Sequence, residues 1–323
     1  MLLPRAWPSP SDRMSKPLAS ATTRAGHVAL VGRPNVGKST LMNALVGQPL
    51  AIVSALPQTT RDAVRGVLTA DGAQYVFSDT PGVHAPRSRL GRWMNDVARQ
   101  VARDADAVVL VVEAGKSGAQ PLLDTELALA AELPNVPTVL VLSKVDRVKD
   151  KEDLLPIIAA FAEAHPFAAT VPLSAKRKDG LEALLGELRP LLPEQPMLFE
   201  PETLSDQPER FFVAELVREQ VLLHTRQEVP HGVAVVVESF DESVKPTRIA
   251  VAIHVSRDAH TKILVGAGGR MVKSIGIAAR ARVERLLGAR VHLELSVRAT
   301  PDWMNNEASL REMGYGRRVG DDR

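Results

Sequence analysis

Gly32-Arg33-Pro34-Asn35-Val36-Gly37-Lys38-Ser39 fits the pattern G-x-x-x-x-G-K-[ST] and decides the fold of the first half of the chain. An apolar run, His27 to Val31, reads as a strand leading into it, and the stretch from Thr40 to Val46 reads as the helix leading out. A loop between such elements points backbone N–H groups at a phosphate, with the positive end of a helix behind it. Lys38 would reach the β and γ phosphates and the Ser39 hydroxyl would hold magnesium, with Thr40 next along the loop. The plainer alternative is a glycine turn with a chance lysine. The pattern arises by accident in roughly one of a hundred chains of this length, and the strand and helix flanks lower that further.

Downstream, Val76-Phe77-Ser78-Asp79-Thr80-Pro81-Gly82 places an aspartate at the end of a strand, before a turn. Asp79 there can hold a magnesium shell through water, and the Gly82 N–H can face a γ-phosphate. Alone, this is only a good turn sequence; after a phosphate loop it is no longer neutral. Ser143-Lys144-Val145-Asp146 ends another strand, where ligands gather in an open α/β sheet. The Asp146 carboxylate suits the two N–H donors of guanine, and adenine offers no such pair. Ser174-Ala175-Lys176 follows the next strand, where its backbone can meet the guanine carbonyl. Pro57-Gln58-Thr59-Thr60-Arg61-Asp62 offers two threonines as further ligands, against the blander reading of a polar loop.

With 323 residues, 45% hydrophobic and 24% charged, the chain is long enough for two domains with separate cores. The absence of cysteine excludes disulfides and thiolate metal sites and suits a cytoplasmic protein. The net charge of +2 is too small to indicate a partner. No apolar run approaches the roughly 18 residues of a spanning helix. Residues 1–25, rich in Pro, Ser and Thr, lack the apolar core of a secretory signal and are expected to be a disordered extension, with Met14 an alternative start.

From residue 26 to 192, strand-like runs alternate with helical patterns, which predicts a mainly parallel, doubly wound α/β sheet. Ala63–Ala70 and Ala73–Ser78, joined by Asp71-Gly72, read as an antiparallel hairpin. Residues 193–208 carry four prolines and keep neither periodicity, so they read as a linker. Residues 209–316 follow the order helix, strand, strand, helix pair, strand, an α+β domain, with 317–323 as a tail. The helix pair is joined by Gly266-Ala267-Gly268-Gly269, followed by Arg270 and Lys273. A lone G-x-x-G is usually a tight turn. Here nine basic residues against three acids between Arg257 and Arg298 add the electrostatic footprint of a nucleic-acid surface, the alternative being a solvated basic helix.

In the order of its motifs the first part resembles the translation-factor-related GTPases. The resemblance implies GTP and GDP as ligands with Mg2+, held by Gly32 to Thr40, Asp79 to Gly82, Ser143, Lys144, Asp146 and Ser174 to Lys176. It favours Thr60 over Thr59 as the switch ligand, joining Ser39 and Asp79 at the metal and Lys38 and Gly82 in catalysis. Ser143 departs from the family's asparagine, which ties the base pocket to the phosphate loop. Val83 stands where many switch GTPases keep a water-orienting glutamine, so slow turnover is expected. Asn35 matches the asparagine that binds K+ in potassium-activated relatives, its other reading being a local turn bond.

Residues 209–315 resemble a type II KH domain, whose glycine loop clamps single-stranded RNA backbone. The combination resembles the Era GTPases of bacteria, on Gln58-Thr59-Thr60-Arg61, Asp79-Thr80-Pro81-Gly82-Val83-His84, Pro208-Glu209-Arg210-Phe211, the glycine loop and the segment Trp303 to Tyr315. This implies RNA contacts at Gly266 to Arg270 and Lys273, with Ala267 replacing a common lysine. It also implies small-subunit ribosomal RNA and the 30S subunit as partners, no DNA, and a cytoplasmic location with peripheral contact at the inner face of the membrane. An RNA-binding scaffold with little turnover, and a GTPase whose second domain binds protein or membrane, are the competing readings.

Overall fold

The runs Ala107–Glu113 and Thr138–Ser143 show no polar alternation, the mark of strands covered on both faces, and every residue in them is buried. They lie inside a six-stranded sheet in the computed structural model, which describes residues 23–315 apart from 55, 57–58, 116–119 and 226–228. Most of the expected N-terminal extension with Met14, Pro57 and Gln58 of the switch segment, and the 317–323 tail lie outside the described residues.

The chain divides into two compact units, one holding residues 23–86 and 94–206 of the described chain, the other 87–93 and 207–315. In order come β1 (Arg24–Val31), α1 (Lys38–Val46), β2 (Val64–Ala70), β3 (Ala73–Asp79), α2 (Arg89–Asp104), β4 (Ala107–Glu113), α3 (Gln120–Ala131), β5 (Thr138–Ser143), α4 (Leu154–Ala164), β6 (Ala169–Pro172) and α5 (Leu181–Leu188). The strand order is β2-β3-β1-β4-β5-β6, parallel except where β2 meets β3. That hairpin turns on Asp71 and Gly72, both with positive φ (50° and 72°), as a tight two-residue connection demands. The order reverses on either side of β1, so the crevice for a ligand opens at the end of β1.

β1 starts at Arg24, inside the stretch expected to be disordered. Arg24 and Ala25 pair with Ala73 and Gln74, and the Arg24 guanidinium bonds Glu194 at 2.7 Å. Glu194 belongs to the expected linker, a segment that is irregular and tied down. Gln195 N–H donates to Thr23 O (3.0 Å), Phe199 N–H to Gln74 Oε1 (2.8 Å) and Ser205 Oγ to Arg65 O (2.6 Å), while Val67 N–H donates to Leu204 O (2.8 Å). Residues 193–206 are thus a strap on the first unit. Composition reported the missing periodicity, but it could not report hydrogen bonds made without regular structure.

The second unit runs α6 (Glu209–His224), β7 (Val233–Asp241), β8 (Thr247–Val255), α7 (Asp258–Val265), α8 (Arg270–Leu287), β9 (Val291–Ala299) and α9 (Glu307–Glu312). β8 pairs antiparallel with β7 and parallel with β9. Val213, Val217 and Val221 of α6 and Ile275, Ala279 and Val283 of α8 cover one face of this sheet, at the spacings that put them on one helical stripe. The buried Trp303 donates its indole N–H to Gly232 O at 3.0 Å and anchors the C-terminal segment. The short α9 was not expected. Its signal was present, because the Asn306 side chain accepts from Ser309 N–H at 3.1 Å as an N-cap.

Candidate nucleotide site and nucleic-acid interface

Between β1 and α1 the phosphate loop wraps around Lys38. Its ammonium is buried and donates to Gly32 O (3.0 Å) and Arg33 O (2.9 Å), so the loop's own carbonyls hold it in place. Burial lowers its pKa to about 8, against the opposing pull of Asp79.

Asp79, at the end of β3, is fully buried. Its Oδ2 accepts from Ser39 Oγ (2.6 Å) and Thr60 Oγ1 (3.0 Å), and those two hydroxyls lie 3.1 Å apart. The other oxygen, Oδ1, is buried with no hydrogen-bond partner. Burial pushes the Asp79 carboxyl up, with Lys38 and the two hydroxyls pulling it back. An unpaired buried carboxylate oxygen is costly. The remedy fits the neighbours: two hydroxyls and a carboxylate are hard oxygen donors of the kind magnesium takes. Thr60 joins this group, whereas Thr59 Oγ1 donates to Leu56 O at 2.7 Å.

The turn after Asp79 presses on the phosphate loop. A Cβ on Gly82 would lie 2.5 Å from Pro34 N, so only glycine permits the approach. Thr80, assigned to the ligand from sequence, is fully buried and donates its hydroxyl to Leu30 O at 2.7 Å. Val83 packs against Ala29, Val31, Ala102 and Val108.

At the base end, Ser143 Oγ donates to Val36 O at 2.6 Å, so the shorter side chain still reaches the phosphate loop. Lys144 has a left-handed backbone (φ 59°), and its ammonium donates to Asn35 O (2.5 Å) and Glu113 Oε2 (2.8 Å). Asp146 Oδ1 accepts from Ser174 Oγ at 2.6 Å, which holds the Asp146 carboxyl below the usual carboxylate range. Sequence reasoning gave Ser174 a backbone role; its buried hydroxyl orients Asp146 as well. Glu113 was missed, because one acidic residue ending a buried strand has no motif around it.

The phosphate loop and its neighbours border one cleft of about 390 Å³, within the range of small-molecule sites. Pro34, Asn35, Gly37 to Thr40, Ile52 to Ser54, Thr59, Thr60, Gly82, Lys144 and Arg147 line it. Asp146 and Ser174 to Lys176 lie outside that lining.

In the second unit, Gly266, Gly268 and Gly269 all have positive φ. Gly266 is the constrained one: a Cβ there would sit 2.8 Å from Met271 Cβ, whereas nothing lies within 4 Å of a Cβ on Gly268 or Gly269. Arg270 turns back, donating Nε–H to Ala267 O at 3.1 Å. Lys273 lines a groove with Val272, Gly276, Ile277, Arg280, Leu293 and Leu295, between α8 and β9. The basic excess is smaller than counted from sequence, since Arg282 pairs with Glu219 (2.5 Å) and Arg298 with Glu238 (2.6 Å).

The profile of the 50S ribosome-binding GTPase family matches residues 27–144, and that of the KH domain matches residues 228–303. The GTPase Era of Ruminiclostridium cellulolyticum is 42% identical over 294 residues, covering 90% of this chain and 97% of that protein. The GTPase Era of Xanthomonas oryzae pv. oryzae is 44% identical over 299 residues, covering 92% and 99%. Among solved structures, an Era variant of Aquifex aeolicus bound to GDP and AlF4− is 33% identical with a TM-score of 0.84, covering 91% of this chain and 100% of that one. Era in complex with MgGDPNP and nucleotides 1506–1542 of 16S ribosomal RNA is 34% identical with a TM-score of 0.85, at the same coverage. The phosphate loop, the Asp79 cluster, the Asp146 turn and the glycine loop thus stand in a chain that belongs to the Era family of GTPases.

Proposed function

We propose that this chain hydrolyses GTP as a switch and binds the 3′ end of small-subunit ribosomal RNA through its second unit, assisting 30S assembly. The observation that carries the nucleotide half is the Ser39, Thr60 and Asp79 cluster with its partnerless buried oxygen. The RNA half rests on the basic, glycine-looped groove and on the relative crystallised with 16S ribosomal RNA nucleotides.

In this reading Asp146 and Ser174 select guanine, backed by the backbone of Ala175 and Lys176. Lys38 exchanges its bonds to loop carbonyls for β and γ phosphate oxygens. Ser39, Thr60 and Asp79 would hold magnesium, and the ion would offset phosphate charge when bound. The Gly82 N–H faces the γ-phosphate. Water attacks the γ-phosphorus as the bond to the β-phosphate oxygen breaks, and positioning supplies most of the acceleration. Val83, committed to the core, lends no hydrogen bond to that water, which supports slow intrinsic turnover. Asn35 borders the cleft with positive φ, and faster hydrolysis in potassium than in sodium would follow if it holds a monovalent cation.

On the RNA side, Gly266 to Gly269 admit the sugar-phosphate backbone closely, and Arg270 and Lys273 meet phosphates. Among the described residues no helix is long and apolar enough to cross a membrane. The reading places the protein in the cytoplasm, with any membrane contact peripheral. Two measurements test it: multiple-turnover phosphate release from GTP, and sequencing of RNA recovered with the protein from cells, with and without Lys38→Ala. No turnover with the RNA retained favours a scaffold. Turnover without enrichment of the ribosomal 3′ end removes the RNA half.

A further inference from the structure

Resting on the nucleotide reading, we infer that Glu113 is a positioning residue: it clamps the base-recognition turn to the phosphate loop and supplies rigidity that Ser143 alone cannot. Glu113 ends β4 opposite Ser143 in β5, and its carboxylate is buried. One oxygen accepts from Lys144 Nζ at 2.8 Å, and the other lies 3.3 Å from Arg147 Nη1. These two cations flank Asp146 in sequence, so the carboxylate grips the guanine-selecting turn from both sides.

The same Lys144 ammonium donates to Asn35 O at 2.5 Å. Its stem crosses the loop, with Cε 3.8 Å from where a Cβ on Gly37 would stand. Lys144 also keeps a left-handed backbone, which strains a β-carbon-bearing residue and persists only where surroundings hold it. Without the Glu113 carboxylate, one side of that hold is gone. Two ties then join the turn to the loop: the direct bond from Ser143 Oγ to Val36 O, and the bond from Lys144 that Glu113 fixes. A serine reaches with one donor. An asparagine would bring a longer arm with both donor and acceptor, so the second tie matters more in this chain.

The test is release of a fluorescent GDP from the full-length parent, Glu113→Gln, Glu113→Ala, Ser143→Asn and the double variant with Glu113→Ala, with thermal unfolding alongside. Glu113→Ala should speed release ~10-fold, the size of one lost charge-assisted hydrogen bond, and Glu113→Gln by less. In the Ser143→Asn background the effect should shrink, since the two ties substitute for one another. Unchanged release in Glu113→Ala, or equal effects in both backgrounds, overturns the inference while leaving the nucleotide reading intact. If Glu113→Ala does not fold, the same comparison made with Glu113→Gln decides. Failure of the parent to bind GDP instead overturns the nucleotide reading.

Discussion

The phosphate end of the first unit and the glycine loop of the second both prepare for a phosphate, by opposite means. Around Lys38 and Asp79 the charges are buried, held by hydroxyls and loop carbonyls, and one carboxylate oxygen is left without a partner. Around Gly268 and Gly269 nothing lies within 4 Å of a side-chain position, and the Arg270 guanidinium is bonded back onto the loop. The first site stores unmet electrostatic demand in a low dielectric, where each charge counts for more. The second offers room in water, where binding draws on counterion release. Specific, tight binding of a small anion needs the former; a long, repeating polyanion can be held by the latter.

The hardest blow to that contrast comes from Lys38→Ala. GDP and GTP affinity should fall ~100-fold or more, the order of two charge-assisted hydrogen bonds. RNA binding by the nucleotide-free full-length protein should not change in a filter-binding assay. Loss of both would mean the two sites are not built independently.

Next in size is a pair in the glycine loop. Gly268→Asp should weaken RNA binding ~10-fold or more with little loss of stability, because its site is open and aspartate tolerates the left-handed region better than most residues. Gly266→Ala should instead destabilise the second unit by about 2 kcal/mol, since its Cβ meets Met271 and its backbone (φ 70°, ψ 174°) suits glycine alone. Chemical denaturation and RNA titration of both variants separate the effects. An unstable Gly268→Asp would show that this loop, too, is closely packed.

A smaller effect depends on pH. The Lys38 pKa of about 8 in the folded protein lies below the ordinary 10.5. Between those values the unfolded chain holds a proton that the folded chain has released, so the contribution of Lys38 to stability rises with pH across that window. Phosphates call the proton back. GDP affinity should therefore decline above about pH 8, by at most ~10-fold per pH unit, in a fluorescence titration. A flat profile would mean the buried ammonium keeps its charge unaided.

Smallest is Ser143→Asn, expected to tighten GDP by about 1 kcal/mol, the net value of one hydrogen bond. Equilibrium dialysis against the parent would detect it. Unchanged affinity would mean that the bond from Ser143 to Val36 O already does the work of the longer side chain.

Much of this was legible before any coordinates. The phosphate loop, the Asp71-Gly72 hairpin and the buried central strands announce themselves because local geometry demands those residues in sequence order. Thr60 could be preferred to Thr59 only by resemblance, since two adjacent threonines read alike until the chain turns one toward Asp79 and the other toward Leu56. Glu113 and the Ser174 hydroxyl were invisible for a related reason: their partners lie 31 and 28 residues away. The charge count on the second unit was incomplete for a different reason. It summed Arg282 and Arg298 without the glutamates that neutralise them, and those come from outside the counted segment.

The strap of residues 193–206 bears on whether the first unit can pair with a second copy of itself. β2 is an outer strand, and outer strands expose backbone donors and acceptors on which a second molecule can add itself. Leu204 O takes the Val67 N–H and Ser205 takes Arg65 O, while the Asp206 carboxylate lies beside the Arg65 guanidinium. The edge is therefore already occupied by the chain's own proline-rich, irregular segment, which cannot itself template another strand. A fragment ending near residue 192 would bare that edge and self-associate, and one ending after Asp206 would carry its own guard.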